Sequence, residues 1–148
     1  MPRKTLVTGL SVLPVLLLAA CGENSTPAAT IGAAETVVSL AEGRSLYQTH
    51  CALCHQPQGE GVQGSQPPLA GNSVVTGNVG RLVEITVLGV GDHAGGLEST
   101  GQWRQQMQGF DFLSDAEIAG ILTYIRNSWG NQASKVGEEA VWEARQDL

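Results

Sequence analysis

Cys51-Ala52-Leu53-Cys54-His55 is the stretch whose reading decides this chain. Two thiols three positions apart, followed at once by an imidazole, have the spacing of covalent haem attachment. The thiols reach the two vinyl groups on one porphyrin edge as thioethers, and the histidine comes beneath the iron as an axial ligand. A bare Cys-x-x-Cys also serves as a redox dithiol or as half of a zinc site, so the rest of the chain has to choose. A structural zinc needs about four ligands. Outside the motif the histidines are His50 and His93, with no second paired motif. No alternation of strand and helix surrounds the motif, as a thioredoxin-like dithiol would require. The expected cofactor is one covalent haem held by Cys51 and Cys54, with His55 on the iron.

The remaining cysteine, Cys21, follows Arg3, Lys4 and an apolar run from Leu6 to Leu18 that is too short to span a bilayer comfortably. Leu18-Ala19-Ala20-Cys21 resembles the lipobox of bacterial lipoproteins, in which the cysteine is acylated and becomes the first mature residue. That resemblance implies a signal peptide over residues 1–20 and lipidation at Cys21. All three cysteines then have a use in an oxidising, exported compartment. Residues 21–37, rich in Ala, Thr, Ser, Gly and Pro, read as the lipidated N-terminus and a flexible tether with a reach on the order of 20 Å. Residues 38–148 are expected to form the folded domain.

Loss of Arg3 and Lys4 with the signal leaves six basic against 14 acidic side chains, a formal charge of −8. Nucleic acid is a poor partner for such a chain. Aromatic residues make up only 5% of the sequence, so side chains alone would build a thin core, and a buried porphyrin would supply missing apolar surface.

The domain reads as helical. A first helix is expected from Ser39 or Leu40 to about His55, with Gly43 and Tyr47 on the face that carries Cys51. A second is expected from Arg81 to Leu88, closed by Gly89 and Gly91. Ser114-Asp115-Ala116-Glu117 fits a capping box. Ile118, Ile121, Leu122, Ile125 and Trp129 follow at helical steps, and Gly130 is placed to stop that helix. A short last helix, about Glu138 to Arg145, would use Val141 and Trp142 as anchors. His50, beside Cys51, is expected to be exposed. Met107 is the only methionine besides the initiator. It lies in a non-periodic stretch where a loop can bring its sulfur to the iron, with His93 as the rival sixth ligand.

These residues resemble a class I cytochrome c over about 38–148. The resemblance rests on Gly43 and Tyr47 before the Cys51–His55 motif, on Pro67-Pro68-Leu69-Ala70-Gly71, on Gly101-Gln102-Trp103 before Met107, and on Tyr124 to Asn131. It is especially similar to bacterial cytochrome domains of periplasmic dehydrogenases and respiratory complexes. The resemblance implies an all-α fold packed around one haem c, in which Gly43 and Tyr47 cross the C-terminal helix near Ile121 and Tyr124. It implies that the Pro67 carbonyl accepts a hydrogen bond from His55, that Leu69 packs on the haem, and that Trp103 packs on it or reaches a propionate. Gln108 stands where many relatives carry proline after the ligand methionine.

The expected protein is a lipid-anchored, periplasmic, monohaem carrier of single electrons and not an enzyme. It would meet a redox partner with a basic docking patch: a dehydrogenase, a respiratory complex or an oxidase. The rivals are a haem-based gas sensor with a displaceable Met107 and a small peroxidase. The peroxidase is disfavoured because no second histidine has an evident distal acid/base role.

Overall fold

The computed structural model describes residues 38–93 and 95–148, all within the compact unit Ala33–Leu148. The expected signal peptide, Cys21 and the tether lie outside the described residues. Six helices follow in order: α1 Leu40–His50, α2 Ala52–His55, α3 Ser73–Thr76, α4 Val79–Leu88, α5 Asp115–Arg126 and α6 Glu138–Gln146. Among the described residues there is no strand, only isolated bridges, so the fold is all-α. No helix among them is long and apolar enough to cross a membrane.

The crossing of α1 and α5 organises the domain. Each helix starts on a full capping box, Ser39 with Glu42 and Ser114 with Glu117, which satisfies amides the first turn would otherwise leave unpaired. Gly43 lies against the α5 backbone: a Cβ there would meet the Gly120 carbonyl, with its carbon at 2.9 Å and Tyr124 Cβ at 3.3 Å. The approach lets Tyr47, fully buried, bring its ring within 5.5 Å of Tyr124 and 5.0 Å of Trp129. The Tyr47 hydroxyl donates to the Gln56 carbonyl, so the aromatic cluster also grips the chain just past His55.

Local structure departs from the sequence reading in five places. The first helix is not continuous to His55: it breaks at Cys51 and resumes as the single turn α2. A short helix, α3, stands where none was expected, started by the Asn72 side chain accepting from Val74 N–H. Asn78 does the same for Arg81 and moves the start of α4 forward to Val79. The fourth departure is that α5 stops at Arg126 rather than running to Gly130, with Trp129 at φ +54° and Gly130 at φ +87° in the turn beyond it. The cause is tertiary. Asn131 donates to the carbonyls of Ile125 and Leu69 and accepts from Gly71 N–H. Arg126, 3% exposed, donates to the carbonyls of Val75, Gly77 and Ser134 and to the Ser134 hydroxyl. Together these bonds draw the chain back across the helix end. Finally, α6 anchors through buried Val141, while Trp142 is 50% exposed and is not an anchor.

Candidate haem site

Cys51 closes α1 and Cys54 and His55 lie on α2, so the break between the two helices sets the attachment motif at the domain's edge. Cys51 is partly buried, Cys54 is exposed, and both thiols are free. Burial, reinforced by Cys54, pushes the Cys51 thiol up to about 12. A redox dithiol needs a depressed thiol that is thiolate near neutrality. The Cys51 thiol is shifted the other way, which argues against that reading.

His55 is buried, and its Nδ1 stands 2.9 Å from the Pro67 carbonyl. A carbonyl only accepts, so Nδ1 carries the proton and donates, and Nε2 keeps its lone pair. Burial holds the imidazole below the ordinary histidine range, opposed in part by the Pro67 hydrogen bond; the ring is therefore neutral at pH 7. Gly61 makes this possible. At φ +65°, a Cβ on it would meet the Gln66 oxygen at 2.6 Å and the Pro67 carbonyl at 2.7 Å. The loop closes with Leu69 and Ala70 N–H donating to the Gly59 carbonyl, and Leu69 packs half-buried against the core.

Met107 lies in the segment between α4 and α5. Its backbone pairs with Val90 through two reciprocal hydrogen bonds of 2.8 Å, immediately after α4 ends. Gly89 at φ +71° has room only for hydrogen, since a Cβ would run into the Met107 carbonyl. Past the methionine, Gly109 presses on the Val87 carbonyl and Phe110 N–H donates to Thr86 at 3.0 Å. The Met107 side chain is half-buried against the core. Between the His55 loop and the Met107 loop runs one backbone hydrogen bond among the described residues, Gln105 N–H to the Ser65 carbonyl at 3.2 Å.

Other candidates fall as follows. Trp103 is half-buried in the Met107 loop, and its indole N–H has no hydrogen-bond partner among the described residues. His93 turns Nε2 to the Leu88 carbonyl at 3.0 Å, at the end of α4. His50, expected to be exposed, is instead half-buried, its ring edge-on to Phe110 and Phe112 with centroids 6.2 and 6.0 Å away.

This donor set fits a haem: two thiols one helical turn apart, a neutral imidazole whose second nitrogen is fixed, and a thioether on a pinned loop. The sequence pattern of the family described as Cytochrome c matches residues 40–129. The chain belongs to the cytochrome c family. It is a class I c-type cytochrome with covalently bound haem c, and its function is electron transfer. The chain is 39% identical to cytochrome c-552 of Thermus thermophilus over 102 residues, 67% of each chain. To the cytochrome c subunit of a quinone alcohol dehydrogenase from Gluconacetobacter polyoxogenes it is 38% identical over 96 residues, 62% of this chain and 19% of that subunit. With the fructose dehydrogenase cytochrome subunit of Gluconobacter japonicus it shares 31% over 119 residues, 74% of this chain and 23% of the relative. The chain thus spans about a fifth of the length of these dehydrogenase subunits.

Three residues had no role assigned to them from the sequence: Gly61 and Asn131, which hold the His55 loop, and Arg145, which donates from α6 to the Leu113 carbonyl. Gly61 was visible only as one of several glycines, Asn131 as a polar residue after a helix, and Arg145 as an end-of-helix cation. A conformational signal marked the first; nothing local marked the others, whose long-range partners are 32 to 62 residues away.

Proposed function

We propose that this cytochrome is a lipid-anchored, periplasmic, monohaem electron carrier whose iron is held by His55 and Met107 and whose haem is attached at Cys51 and Cys54. The observation that supports the His55 assignment is the Nδ1 hydrogen bond to Pro67, which leaves the other nitrogen of His55 with its lone pair free for a metal. The haem, when bound, supplies a one-electron ferrous/ferric couple. The residues do the rest. Cys51 and Cys54 fix the cofactor, and Pro67 raises the basicity of His55. The Met107 thioether favours the ferrous state and raises the potential. Leu69 and Trp103 are proposed to pack on the haem, with the indole N–H available to a propionate.

The tether from Cys21 would hold the domain at a membrane while leaving it free to reach its partner. That partner is proposed to be a dehydrogenase presenting a basic patch. The similarity to cytochrome subunits of alcohol and fructose dehydrogenases and the acidic balance of the chain support this reading. The gas-sensor alternative is not favoured: the loop bearing Met107 is pinned on both sides of the methionine, and His93 is engaged at the end of α4.

The test is spectroscopic. Protein matured with haem should keep it through acid-acetone extraction, and the ferric form should show a weak far-red charge-transfer band that disappears in Met107→Ala. A band indifferent to that substitution would overturn the methionine assignment. Rapid, stoichiometric carbon monoxide binding by the ferrous protein at neutral pH would revive the sensor.

A further inference from the structure

The chain from Met107 to α5 is held on its first side by α4, through the Gly109 contact and Phe110, and by the Val90 bridge just past that helix. Its second side is held by something unexpected. Arg145, on α6, donates from Nη1 to the Asp111 carbonyl at 3.2 Å and from Nη2 to the Leu113 carbonyl, and its Nε lies 2.7 Å from Asp115 Oδ1. The Nε–H is not aligned on that oxygen, so the pair is a close charge contact and the aligned bonds are those to the loop carbonyls. Both side chains are 22% exposed, which screens the attraction in part. Asp115 also stands at the positive end of α5. Val141, fully buried one turn earlier, fixes α6 on the core and aims Arg145 at the loop. The match to the family ends at residue 129, so this grip comes from chain beyond that match.

We propose that Arg145 is a positioning residue that holds the Met107 loop closed and so sets how readily the sulfur can leave the iron. The proposal rests on the reading of Met107 as ligand. On this reading an exogenous ligand takes the sixth position as the Met107 loop loosens, and the two carbonyl bonds and the charge contact of Arg145 oppose that motion. Without them the open population grows, and apparent affinity for a competing ligand grows in proportion.

The test titrates the ferric holoprotein with imidazole, following loss of the far-red band. Arg145→Met keeps the aliphatic stem and should bind imidazole on the order of tenfold more tightly than wild type, equivalent to about 1.4 kcal/mol. Arg145→Lys, which keeps the charge but not the two-pronged donor, should fall between. Asp115→Asn, which leaves the carbonyl bonds in place, should rise less than Arg145→Met. Wild-type affinity in Arg145→Met, even with a lowered unfolding midpoint, would show α6 to be structural support only and overturn the proposal. If Arg145→Met does not accumulate as holoprotein, unchanged affinity in both other variants overturns it. A band that survives Met107→Ala is a separate failure, of the ligand reading itself, and takes the proposal with it.

Discussion

Replacing Gly43 by alanine adds one methyl group where α1 crosses α5. That methyl would meet the Gly120 carbonyl, with its carbon 2.9 Å away, and Tyr124 Cβ at 3.3 Å. The first of these is helix backbone, which cannot rotate aside as a side-chain tip would. The helices must part by roughly an ångström to restore ordinary contact. Parting them loosens Tyr47 against Tyr124 and Trp129, the cluster that fixes the chain beyond His55. Overpacking of this kind costs about 1–3 kcal/mol, whereas alanine's better helix propensity returns at most about 1 kcal/mol. The expected net loss is on the order of 1–2 kcal/mol. Gly80, in α4, is the control: a Cβ there meets only the Asn78 side-chain oxygen, at 3.3 Å, so Gly80→Ala should be neutral or slightly stabilising. Denaturant unfolding of the holoproteins by far-ultraviolet circular dichroism, compared at equal slope, reads both. A Gly43→Ala midpoint equal to or above wild type would refute the reasoning, since the crossing would then tolerate what its backbone contact forbids.

Other expectations follow from the same chemistry. Glu42 and Glu117 are held below the ordinary carboxylate value of 4.5, chiefly by the backbone amides of Ser39 and Ser114. Their contribution to stability is therefore full above that value and is lost as pH falls through their lower folded values. In acid unfolding series, the gap between wild type and a Glu42→Gln/Glu117→Gln double variant should shrink below pH 4.5, and a gap that does not change with pH would contradict it. Electron transfer with a basic partner should slow on the order of tenfold between low and physiological ionic strength, measured by stopped flow; a flat or rising rate would put the acidic residues away from the docking face. Wild type should fractionate with membranes and become soluble when the segment ending at Cys21 is replaced by a signal without the lipobox. Soluble wild type in a lipoprotein-competent host would contradict lipidation.

What could be read in the sequence was local. The spacing of Cys51, Cys54 and His55 announces itself within five residues. The Ser114–Glu117 box and the apolar steps to Ile125 determine α5 without outside help. The equivalent box at Ser39 and Glu42 is as local a signal for the start of α1. Misreadings occur where distant chain intervenes. Trp129 continues a helical period, yet the Asn131 and Arg126 hydrogen bonds to the Leu69, Val75 and Gly77 segments end the helix before it. Arg126 looks like a surface cation at a helix end and is instead buried among neutral acceptors. Trp142 has the bulk of an anchor, but the rotation of α6 places Val141 inward. Four residues rich in β-branched side chains, Ser73–Thr76, carry no helical signal beyond the Asn72 cap.

The backbone bond between Gln105 and Ser65, the one that joins the two loops among the described residues, has a bearing on how such a protein can change over generations. One loop carries the covalent attachment and is tied to the end of α5 through Asn131; the other carries Met107 and is held by α4 and α6. Because so little backbone bonding joins them, and if Met107 is the proposed iron ligand, substitutions in the second loop would shift the potential without disturbing the motif that maturation must recognise. Attachment and electrochemical tuning are then separately heritable traits. A lineage exchanging one electron donor for another needs to rewrite only half of the site.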